Sequence, residues 1–65
     1  MGKWQVALVS KESDRQFVYD VASNDSQATD AEVVLAALAE HGRMIVAGKV
    51  SEVVHEDRAG VTRVG

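Results

Sequence analysis

The chain has no cysteine and only two histidines, His41 and His55, among its 65 residues. That absence excludes disulfides and every thiolate-based zinc site. A fold of this length buries only about 60% of the surface its unfolded chain exposes, and its core alone supplies roughly 3 to 5 kcal/mol. With no covalent staple, association with a second copy or with another protein is the expected supplement. Apolar runs long enough for a secretion signal or a membrane span are also missing, which predicts a cytoplasmic protein with no membrane partner. Gly2 follows the first methionine, but Val6 stands where a myristoylation motif has Ser or Thr.

Basic residues are scarce too. Seven Lys and Arg stand against ten Asp and Glu, for a formal net charge of −3. Nucleic-acid affinity depends on a positive field that this balance does not provide, so a nucleic-acid partner is not expected. The deficit is uneven: from Asp20 to Glu40 the chain carries Asp20, Asp25, Asp30, Glu32 and Glu40 and no base at all. Asp20, Asp25, Asp30 and Glu32 form a candidate acidic patch that would suit a basic partner, as in a small inhibitor of the kind a mobile element encodes, which occludes a nucleic-acid site. Solvated charge at a helix N-terminus accounts for the same residues more simply.

What is present is ordinary for a globular protein, with 46% hydrophobic and 26% charged residues. Residues 1–65 form one domain. Trp4, Val6 and Leu8 alternate with Gln5, Ala7 and Val9, and Phe17, Tyr19 and Val21 alternate with Val18, Asp20 and Ala22. Both stretches read as strands, joined through the polar loop Lys11–Arg15 into an antiparallel hairpin. Ser23–Gln27 is a cluster of turn formers, followed by Thr29-Asp30-Ala31-Glu32, which has capping-box spacing. A helix from about Asp30 to His41 follows, with Gly42 placed to stop it. At 100° per residue Ala31, Val34, Leu35 and Leu38 form one stripe, expected to face the core. Val33, Ala36, Ala37 and Glu40 form the opposite stripe, a candidate interface for a second copy, since small side chains let helices approach closely.

Beyond Gly42, Met44-Ile45-Val46-Ala47 reads as a third strand. Val50 to His55 continues it past a bulge, starts a separate extended element, or forms a helical turn. Asp57-Arg58-Ala59-Gly60 reads as a tight turn, and residues 57–65 as a short last strand or a frayed end. The predicted fold is α+β: β-β-α-β with an optional fifth element, one helix packed on one face of a mainly antiparallel sheet. A rival interface lies along the β-branched stretch Ile45 to Val54, whose edge could add to another sheet.

Little in this pattern carries chemistry. His41 beside Gly42 is suited to the last carbonyls of the helix, and His55-Glu56-Asp57 would point to alternating sides of a strand rather than converge on a metal. The 5 glycines are dispersed, and Ala47-Gly48-Lys49-Val50 is no phosphate loop. Catalytic residues, cofactors and metals are therefore not expected. Trp4, Phe17 and Tyr19 with Lys3, Lys11 and Arg15 could in principle stack single-stranded bases, but they share a face with Val6, Leu8 and Val21, the natural bed for the helix. The expected function is a small non-catalytic interaction or regulatory module, working as a homodimer or as a subunit of an assembly. The acidic inhibitor and the nucleic-acid module are the alternatives.

Overall fold

The structure, a computed structural model, describes residues 2–65. In chain order they form β1 (Gly2–Val9), β2 (Gln16–Ser23), α1 (Asp30–Val46) and β3 (Gly60–Arg63). The sheet has the order β2-β1-β3 and both pairings are antiparallel. It is the predicted α+β domain, with one helix on one sheet face.

The hairpin follows directly from the alternation. Its register sets Trp4 opposite Val21, Val6 opposite Tyr19 and Leu8 opposite Phe17. Directly opposed residues share a face, so the apolar members of both strands lie on the helix side. Trp4, Val6 and Leu8 are buried there with Val33, Ala37 and Val54. Phe17, Tyr19, Val21, Val34, Leu38 and Val61 pack around them. The other face carries exposed Lys3, Gln5, Gln16, Val18, Asp20, Ala22 and Thr62, and no element covers it among the described residues.

The helix starts where predicted. Thr29 is its N-cap, and the Thr29 hydroxyl accepts the Glu32 N–H at 3.3 Å. It does not stop where predicted. Gly42 is an ordinary helical residue, and Met44-Ile45-Val46, expected to form a strand, completes the last turn instead. The true stop is six residues further on, at Gly48, with φ of +75°. Gly48 N–H donates to the Ile45 carbonyl and Lys49 N–H to the Met44 carbonyl, the paired bonds of a Schellman motif. A left-handed residue is required there, and glycine takes that conformation without strain.

The inward face of the helix also differs from expectation. Val33, Ala37 and His41, spaced four apart, are its buried residues. Val34 and Leu38 are half-buried at the margin, Ala31 is exposed, and Leu35 is 65% exposed. The expected core stripe is thus turned by roughly 100°, the rotation of one residue along a helix. Ala37 is wholly buried.

Past the helix, residues 50–55 are extended, and one of them pairs. Val54 bridges Ser10, flanked by bonds from Lys11 N–H to the Val53 carbonyl and from His55 N–H to the Val9 carbonyl. The chain then bends at Glu56 and Asp57, and β3 resumes along the same side of β1, setting Val61 opposite Val6 and Arg63 opposite Trp4. The short last strand is therefore real. The stretch 50–55 and β3 are two visits to one edge, and together they cover it.

Candidate protein interface

The most organised polar group in the fold lies where the hairpin loop, the helix and the 50–54 stretch meet. His41 is 3% exposed. One ring nitrogen, Nε2, is 2.7 Å from the Glu52 carbonyl, which can only accept, so this nitrogen donates. The other, Nδ1, then accepts from the Tyr19 hydroxyl at 2.6 Å. The ring also packs against Phe17, with centroids 5.0 Å apart. Histidine in a helix thereby joins β2 to the segment beyond the helix, a different task from the helix-end role its sequence position suggested.

The Glu52 carboxylate completes the cluster. It accepts from the Ser10 hydroxyl at 3.2 Å and the Ser13 hydroxyl at 2.8 Å, and pairs with Arg15 at 3.4 Å. The Ser13 hydroxyl is the chief influence holding the Glu52 carboxyl below its ordinary value; burial opposes it, and Ser10 and Arg15 reinforce it. Ser10 in turn accepts the N–H groups of Glu12 and Ser13, which shapes the hairpin loop. Both serines thus point at a carboxylate, while both nitrogens of His41 are engaged elsewhere. A nucleophile activated by an adjacent base, the minimum for acyl transfer, is not assembled among these residues. The arrangement ties three segments together. Neither Ser10 nor Glu52 stood out in sequence. A serine at a strand end followed by a polar loop was the only local sign of the first, and Glu52 had none, because its partners lie 37 to 42 residues away.

The residues singled out from sequence are scattered. Of the candidate helix interface, Val33 and Ala37 lie in the core, so the stripe is not available to a second chain; only Ala36 and Glu40 are exposed. Of the acidic group, Asp20 is on the uncovered sheet face, Asp25 accepts from Gln27 N–H in the loop after β2, and Asp30 and Glu32 sit in the first turn of α1. They form no single cluster, and basic groups intervene. Asp20 shares a shallow hollow of about 370 Å³ with Lys3, and Arg63 reaches across to the Ser26 carbonyl at 2.8 Å. Among the described residues no three His, Asp or Glu side chains converge as metal ligands. His55 approaches Asp57 only at 4.0 Å.

The hairpin aromatics are core residues as well. Trp4 is 4% exposed, Phe17 and Tyr19 are half-buried on the helix side, and the guanidinium groups of Arg63 and Arg15 lie 5.4 and 5.2 Å from the Trp4 and Phe17 rings. No stacking platform is left open by them.

What does stand open is an edge. With the order β2-β1-β3, the outer side of β2 has no neighbouring strand among the described residues. It runs for 8 residues, Gln-Phe-Val-Tyr-Asp-Val-Ala-Ser, without proline, glycine or lysine. Proline, lysine and short length are features by which natural sheets blunt their edges, and with Asp20 as the one charge the strand remains a template for strand addition. Sequence reasoning looked for such an edge along Ile45 to Val54. That stretch is instead divided between the helix end and the covered side of β1.

Comparison with known proteins adds no constraint: no protein-family profile, curated protein or solved structure matches the chain. No helix is long and apolar enough to cross a membrane.

Proposed function

We propose that the chain is a small non-catalytic interaction module of the cytoplasm, acting as a homodimer or as a subunit of a larger assembly. The observation that supports this is the unpaired eight-residue edge of β2 on a sheet whose opposite edge is the four-residue β3. An edge this long, with Asp20 as its one charged side chain, is a liability in a protein that works alone. The engaged nitrogens of His41 favour the non-catalytic reading. The interleaved Lys3 and Arg63 weigh against an acidic inhibitor, and buried Trp4 weighs against a nucleic-acid module. Two measurements test the proposal together: sedimentation equilibrium across a wide concentration range, and capture by the tagged chain from lysate of its source cells with salt washing. A chain that is monomeric throughout and retains no protein above a scrambled-sequence control would overturn it.

A further inference from the structure

Which partner the edge takes is constrained by the backbone polarity and charge of β2. In an antiparallel pair the residues alternate between those that bond to the neighbouring strand and those that point away. Ser10 N–H donates to the Arg15 carbonyl, whereas Lys3, Val9 and Lys11 bond on the opposite side of β1, to Gly65, Val64, His55 and Val53. Alternation from Arg15 therefore turns the backbone groups of Phe17, Tyr19, Val21 and Ser23 toward β1. Those of Gln16, Val18, Asp20 and Ala22 point to the open edge, and their side chains lie on the uncovered sheet face.

From this we infer that the edge of β2 takes the same edge of a second copy, antiparallel, with the two-fold axis at Tyr19. This rests on the homodimer form of the function proposed above. Four registers that overlap at least five residues of β2 let outward-pointing groups meet. An axis at Asp20 sets the two Asp20 carboxylates directly opposite each other, which like charges disfavour. An axis at Val18 overlaps the strands over Gln16 to Asp20 only, and one at Val21 over Tyr19 to Ser23 only. The axis at Tyr19 overlaps Gln16 to Ala22 and sets each Asp20 opposite an uncharged Val18. On the helix side it sets Phe17 against Val21 of the second copy and Tyr19 against Tyr19, so apolar side chains left half-exposed at the edge gain cover. Val18, 59% exposed in the single chain, becomes part of a continuous six-stranded surface. The edge of β3 is a poorer candidate, since it has 4 residues, opens with Gly60, and ends with Arg63, which is occupied by Ser26 and Gly65.

The test uses the whole chain. Sedimentation equilibrium is expected to show a monomer–dimer equilibrium, and Val18→Pro to weaken it tenfold or more, because symmetry deletes the same outward N–H bond twice. Proline is tolerated where the lost N–H faces away from the sheet, so circular dichroism and Trp4 emission should be unchanged. The chain has no cysteine, which permits a second arm should Val18→Pro not fold. Mixed under mild oxidation, Val18→Cys and Asp20→Cys should form a disulfide-linked heterodimer, since that pair would stand about 5.5 Å apart between Cα atoms, within disulfide range. Either variant alone should cross-link far more slowly. A wild-type chain that stays monomeric at millimolar concentration, with the edge left for a strand of another protein, overturns the inference. So does self-linking of either single variant at the rate of the mixture. A folded Val18→Pro chain with an unchanged dimerisation constant refutes the edge while leaving the interaction module standing.

Discussion

Replacing His41 with Ala removes the link between β2 and the segment beyond the helix, and its cost follows from the geometry. Two hydrogen bonds are lost, to the Tyr19 hydroxyl at 2.6 Å and the Glu52 carbonyl at 2.7 Å. The Tyr19 hydroxyl can turn to water because Tyr19 is half-exposed, while the buried imidazole itself leaves a void beside the Phe17 and Tyr19 rings. At about 1 kcal/mol net for each bond and a similar amount for the unfilled volume, the loss is about 3 kcal/mol. That is most of the roughly 3 to 5 kcal/mol a core of this size supplies, so a substantial unfolded population is expected at 25 °C. Tyr19→Phe deletes only the hydroxyl and leaves buried Nδ1 without a donor, at about 1 to 2 kcal/mol. Because both changes break the same bond, the double variant should cost about 1 kcal/mol less than the sum of the singles. Urea unfolding followed by Trp4, the one tryptophan in the chain, measures all three. A loss under about 1 kcal/mol for His41→Ala, or strict additivity in the cycle, would refute the idea that His41 is held between these partners.

Ala37→Glu places a charge where the residue has no exposure at all, so loss of the amide dispersion and of circular dichroism structure is expected, whereas Leu35→Ser on the exposed side of the same helix should shift stability by less than about 0.5 kcal/mol. Gly48→Ala should cost about 1 kcal/mol in thermal or urea unfolding, the strain of a side chain at φ of +75°. Burial, aided by the Glu40 carboxylate, raises the phenol of Tyr19 above its ordinary value. A raised folded value means that this contribution to stability is complete below the unfolded value and lost as pH rises through the folded one. Phenolate absorbance, which reports Tyr19 alone, should therefore titrate above pH ~10, and Glu40→Gln should bring the midpoint down. For Glu52 the sign is opposite: its folded value is lowered, so stability is present above the unfolded value and lost as pH falls through the folded one, and Glu52→Gln should flatten the acid limb of a urea-midpoint profile.

Much of the fold was legible because its information is local. Strand alternation in Trp4–Val9 and Phe17–Ala22, the polar loop between them and the Thr29 cap each involve residues a few positions apart, and each appears as expected. The face that receives the helix was legible for the same reason, since period-two alternation admits one apolar side. Helix length was not. Met44-Ile45-Val46 is equally compatible with a strand and a helical turn, and Gly42 and Gly48 are both plausible stops by residue type. Only the packed chain distinguishes them: it holds Gly42 in ordinary helical geometry and turns Gly48 left-handed under two closing hydrogen bonds.

The rotation of the helix was beyond local reading for a related reason. By hydrophobicity alone the stripe with Leu35 and Leu38 outranks one made of Val33, Ala37 and His41. That ranking prices His41 as a polar residue to be kept in water, and it values Ala37 by its small apolar area. In the folded chain His41 finds Tyr19 and Glu52, 22 and 11 residues away, which removes the cost of burying it, and Ala37 is wholly buried beside it on the inward face. Sequence by itself determined the two strands of the hairpin, where the helix starts and which side of the hairpin is apolar. Tertiary structure decided which side of the helix meets it, where the helix ends, and that β2 rather than the 45–54 stretch carries the open edge, because each depends on partners that the chain brings together only when it folds.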